Sequence, residues 1–83
     1  MLRVDVQQRL STLASGSEGR LARLEGDRAF RRRLMELGLL PGTPVRVVRR
    51  ADVGGVMELE VRRSRLTVRT SEAEDVFVHP VEE

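Results

Sequence analysis

The stretch from Asp27 to Gly42 admits one local structure and fixes where it stops. Asp27 reads as an N-cap, its carboxylate accepting backbone N–H groups of the first turn at the positive end of the helix dipole. Phe30, Leu34 and Leu37 recur at i, i+4 and i+7 as one apolar stripe, while Arg31, Arg32 and Glu36 point elsewhere. Gly38 suits the left-handed position after the last turn, and Leu39 can pack back on Leu34. Pro41 forbids continuation. The spacing predicts a helix over about residues 27–37. Pro41-Gly42 then forms a turn, with Pro preset at the first central position and Gly free to take positive φ at the second. Asp27, Gly38 and Gly42 are thus structural.

Around that helix the periodicity changes from 3.6 to two. Arg20-Leu21-Ala22-Arg23-Leu24, closed by Gly26, suits a strand, as does Pro44 to Arg50. Met57, Leu59 and Val61 alternate with Glu58, Glu60 and Arg62, and Leu66 and Val68 alternate with Arg65, Thr67 and Arg69. A two-residue loop at Arg63-Ser64 would pair Val61 with Leu66, Leu59 with Val68 and Glu58 with Arg69. Arg-Ser is poor chemistry for that turn, which leaves a longer loop open. Ser71-x-x-Glu74 has capping-box spacing and predicts a one-turn helix near residues 71–75, before a last strand at Val76-Phe77-Val78. Residues 1–8 read as a mobile arm and residues 9–83 as one domain. The predicted fold is mainly β: about five strands closed into a small barrel, with one inserted helix.

No cysteine is present, which excludes disulfide scaffolds, thiolate-bound zinc and thiol catalysis. No apolar run approaches the roughly 18 residues a spanning helix needs, so the expected address is cytoplasmic. All 15 basic residues are Arg, yet 13 acidic ones leave a formal charge of only +2. Asn, Ile and Tyr are missing together with Lys, which points to a GC-rich genome and makes the arginines first a matter of codon usage. Two Phe and no Trp or Tyr offer little stacking surface for nucleic acid, and none is expected as a partner.

Phosphate-loop, dinucleotide, zinc-protease and nucleophile-elbow signatures are all absent. His79, the sole histidine, lies next to Pro80 in the tail and reads as a strand-end side chain. Glu58 and Glu60 share a strand face, and with Asp52 and His79 they are the donors a divalent cation such as Fe2+ or Mn2+ would use. The alternative for the glutamates is a solvated face neutralised by Arg62 and Arg69. Arg33 flanks the helix stripe and is placed to serve a partner. Met35 lies off the stripe and Leu40 precedes the turn, so exposed apolar surface beside arginines marks a candidate protein-binding site.

The segment Arg33-Leu34-Met35-Glu36-Leu37-Gly38-Leu39-Leu40-Pro41-Gly42-Thr43, preceded by Leu10-x-x-Leu13-x-x-Gly16 and Gly26-Asp27, resembles the FeoA family of bacterial ferrous-iron transport accessory proteins. The resemblance continues through Val45 to Arg49, Arg65-Leu66-x-Val68-Arg69 and Ala73-x-x-Val76-x-Val78. It implies an SH3-like barrel with a helix inserted after the first strand. It further implies a cytosolic, non-enzymatic accessory of FeoB, the membrane iron(II) transporter that carries a G-protein domain. A related domain closes the chain of DtxR-type metal-dependent repressors. Where the family's loop often reads A-P-L-G-D-P, here Asp52 and Val56 replace the prolines and Gly55 the acid, which frees the loop backbone.

The leading expectation is a regulatory protein that docks on the cytoplasmic part of FeoB, reaching the inner membrane only through that partner. Its contact surface would comprise Arg33, Met35, Leu37, Leu39, Leu40 and Pro41. Rival readings are a metal-sensing module and a nucleic-acid-binding small barrel. Pairing of open barrel edges would give a homo-oligomer.

Overall fold

Asp27 accepts a hydrogen bond from the Phe30 amide at 2.8 Å in the computed structural model, and α1 (Arg28–Glu36) starts where that cap sits. The structure describes residues 6–51 and 53–81. The expected arm does not reach Gln8, because β1 (Gln8–Arg9) pairs with β6 (Val76–Pro80). Residues 1–5 of that arm lie outside the described residues. A single 3₁₀ turn at Leu10–Thr12 follows, with its first residue Leu10 and the next residue after it, Leu13, both buried.

β2 (Glu18–Leu24), β3 (Pro44–Ala51), β4 (Val56–Val61), β5 (Ser64–Arg69) and β6 complete a six-stranded antiparallel sheet in the order β1-β6-β2-β3-β4-β5. That is one strand more than expected, the extra one being the two-residue β1. No pairing joins β1 to β5 among the described residues. The barrel closes instead by packing, since α2 (Thr70–Ala73) touches both β5 and the Leu10–Thr12 turn.

The core follows the alternation. Val45, Val47, Met57, Leu59, Val61, Val68, Val76 and Val78 are buried, so each of these strands turns one face inward. β2 obeys a modified rule. Strict alternation would put Leu21 and Leu24 on opposite faces, but a bulge between Leu21 and Arg23 in the pairing with β6 lets both leucines meet the core. A second bulge, between Val47 and Arg49, bends β3 against β4.

Two local expectations are corrected. The β4–β5 turn is Arg62-Arg63, with φ of 52° and 71°, and Val61 therefore pairs with Ser64, Leu59 with Leu66 and Met57 with Val68. Moving the loop by one position shifts the register by two, so the buried and exposed faces stay as expected while the cross-strand partners change. Glu58 consequently meets Arg65 at 3.1 Å, not Arg69. The capping glutamate of α2 is Glu72, which accepts from the Arg69 amide at 2.9 Å, in place of Glu74. A helix that begins at Thr70 puts Glu72 at the third position, where its side chain reaches back to the free N–H.

Candidate docking site

Helix α1 ends in a Schellman motif whose bonds decide which side chains face water. The Gly38 amide donates to the Met35 carbonyl at 3.0 Å and the Leu39 amide to the Leu34 carbonyl at 3.0 Å, with Gly38 at φ +96°. That closure turns Leu39 back onto Leu34, and each is only 1% exposed. Leu39 is therefore core and not contact surface. Leu37, in contrast, leaves the expected apolar stripe: as the C-cap residue it is 49% exposed. Of the stripe, Leu34 is buried and Phe30 packs partly against the core.

Leu40 to Thr43 is a type II turn. The Thr43 amide donates to the Leu40 carbonyl at 2.9 Å, Gly42 has φ +88°, and its amide donates to the Leu21 carbonyl at 2.7 Å. The buried Thr43 hydroxyl donates to the Gly38 carbonyl at 3.3 Å and accepts from the Leu40 amide at 3.2 Å, tying turn to helix end. This rigid frame holds Leu40, 44% exposed, away from the core. Among the described residues six large hydrophobic side chains are exposed, and three of them, Met35, Leu37 and Leu40, fall within this short stretch. Such concentration is what separates a binding patch from scattered surface leucines.

Met35 and Pro41 also line a cleft of about 270 Å³ between α1 and β2, whose other walls are Leu21, Ala22, Leu24 and Leu39, with Arg23 and Arg31 at its margin. The β2 side of this cleft was not legible in the sequence, because it depends on the bulge beside Ala22. Arg33 is exposed but already engaged: it meets Glu72 at 3.1 Å and lies 5.7 Å from the Phe30 ring centre, joining α1 to α2. A larger hollow of about 440 Å³ lies elsewhere, bounded by Gly16, Ser17, Glu18, Arg46 and Val81.

The four candidate cation ligands do not converge. Glu58 and Glu60 are on β4, and His79 is on β6, with β2 and β3 between them. Glu60 pairs across strands with Arg46 and Arg65, and Glu58 is held by Arg65. His79 sits opposite Arg20, its Nδ1 3.1 Å from the Val6 carbonyl. Asp52 lies outside the described residues. Among the described residues, no group of three or more His, Cys, Asp or Glu could hold a metal ion. Phe77 is flanked by cations: Arg9 and Arg23 lie 5.3 and 4.0 Å from its ring centre, from the strands on either side of it.

No helix among the described residues is long and apolar enough to cross a membrane. The FeoA domain matches residues 8–80 of the chain. The solution structure of a FeoA protein from Chlorobium tepidum is similar at 36% identity, covering 90% of this chain and 71% of that one, with a TM-score of 0.85. FeoA from Stenotrophomonas maltophilia in complex with zinc, described as an SH3-domain protein and proposed as a ferrous iron transport activating factor, is similar at 34% identity over 83% of this chain and 86% of that one, TM-score 0.72. IdeR from T. acidophilum matches 98% of this chain with 37% of its own at 18% identity and a TM-score of 0.80, a likeness of fold alone.

Proposed function

The chain belongs to the FeoA family, which is associated with ferrous iron transport, and from that premise we propose that it is a non-catalytic accessory protein that docks on the cytoplasmic portion of FeoB. The observation that carries the reading is the exposure of Met35, Leu37 and Leu40 at one rigid helix end, beside the apolar cleft at Pro41. A folded domain holds such side chains in water at a cost that burial against a partner offsets, by about 25 cal/mol per Å² of apolar surface. In this reading the chain works as an adaptor, and iron is the transporter's cargo. The working location is the cytoplasm, at the inner membrane only through FeoB.

Cells that keep FeoB but lack this chain test the proposal by ferrous iron uptake. Wild-type chain is expected to restore uptake and to co-purify with FeoB from solubilised membranes. A Met35→Glu, Leu40→Asp double variant that accumulates to the same level is expected to do neither. Uptake that is independent of the chain would overturn the accessory role, and full restoration by the double variant would move the contact surface elsewhere.

A further inference from the structure

The β4–β5 hairpin turns on two residues that local chemistry disfavours. Arg62 and Arg63 both have positive φ, 52° and 71°, the signature of a type I′ turn in which Asn, Asp and Gly dominate because other L-residues are strained there. Codon usage does not explain the choice, since the chain contains seven glycines and could place one at the tip. The tip also meets the helix end just described: a methyl group on Gly38 would stand 3.3 Å from Cδ of Arg62 and 3.5 Å from its Nε. The stem of Arg62 thus lies over Gly38, which follows Leu37 directly and precedes Leu40 by two positions. Arg63 is exposed, and neither tip arginine has an ion-pair partner among the described residues.

We propose that the Arg62-Arg63 tip and the end of α1 form one composite surface that receives an acidic segment of a protein partner with apolar side chains at its centre. The inference rests on the docking reading above and adds the partner's chemistry. Charge complementarity carries it. Neither tip arginine is in an ion pair among the described residues, whereas Glu58, Glu36 and Glu72 are taken by Arg65, Arg32 and Arg33, so the tip presents two exposed guanidiniums, that of Arg62 against the helix end that exposes Leu37 and Leu40. An anionic membrane is a poorer match, because headgroup recognition by basic clusters uses roughly four to eight cations. A second copy docking on the same patch would bring like-charged tips together.

The test substitutes what the turn prefers. Arg62→Asn with Arg63→Gly relieves the backbone and should raise Tm by roughly 4–8 °C. The same variant should bind detergent-solubilised FeoB about tenfold more weakly than wild type at low salt, with the gap closing in roughly 0.5 M salt as the charges are screened. Leu40→Asp, run alongside, reports on the docking reading alone. If wild type binds and Leu40→Asp does not, but the tip variant binds as wild type, the inference fails while docking stands. A tip variant that melts lower would make the arginines structural and overturn the inference. Tip-dependent binding to phosphatidylserine vesicles without FeoB would replace the protein partner by a membrane. Failure of wild type to bind FeoB would remove both readings together.

Discussion

Replacing Leu39 by alanine is expected to lower the unfolding free energy by about 2–5 kcal/mol, while the same change at neighbouring Leu40 stays within about 0.5 kcal/mol. The two leucines are adjacent and chemically identical, but one is 1% exposed and the other 44%. Removing three carbons at Leu39 leaves a cavity against Leu34 at the core end of the Schellman closure, a loss the surrounding strands can only partly refill. For a domain of 83 residues each kcal/mol moves Tm by about 4–8 °C. Thermal melts should therefore separate the variants by at least roughly 6 °C. Equal melts would mean that the helix end does not turn Leu39 inward, and the exposed positions on either side of it would lose their frame.

Gly38→Val should be the most damaging change at the site's backbone, costing about 2–4 kcal/mol. Two effects act together. A β-branched residue at φ +96° is strained whatever surrounds it, and its Cβ would stand 3.3 Å from Cδ of Arg62, close enough that the Arg62 side chain has to give way by a few tenths of an ångström. Gly38→Ala keeps the first effect in milder form and loses the branch, so it should fall between wild type and Val. A melt of Gly38→Val that matches wild type would contradict the helix termination on which the site is built.

The helix and its termination were readable because every signal was local. Asp27, Gly38, Pro41 and Gly42 each act within a few residues, and each does in the structure what its chemistry requires. The strand faces were readable for the same reason, since alternation over Met57 to Val61 and Leu66 to Val68 does not depend on register. Register itself was not readable. The hairpin turns at Arg62-Arg63, two residues that no turn preference would select, and only tertiary structure holds them there.

The site was partly legible. Met35 and Leu40 could be read as exposed from their place off the stripe and before the turn. Leu37 carried two readings, apolar stripe and contact surface, and the helix ending under it, which leaves it half exposed, decides between them. Leu39 was misassigned although the closure on Leu34 already implied burial. The bulge that makes Ala22 and Leu24 part of the cleft, and the approach of Arg62 to Gly38, come from strands distant in sequence and have no local signature.

On the proposed function, this helix end is where the transporter is held. Titration of purified, detergent-solubilised FeoB with the chain, comparing wild type and the Met35→Glu, Leu40→Asp double variant, tests it most directly. Both substitutions put carboxylates where apolar contact is needed, and central interface residues of this kind carry about 2 kcal/mol or more each. A saturable isotherm for wild type and an affinity at least about a hundredfold weaker for the double variant, with Tm unchanged within a few degrees, is the expected result. Equal affinities for two equally stable proteins would contradict it.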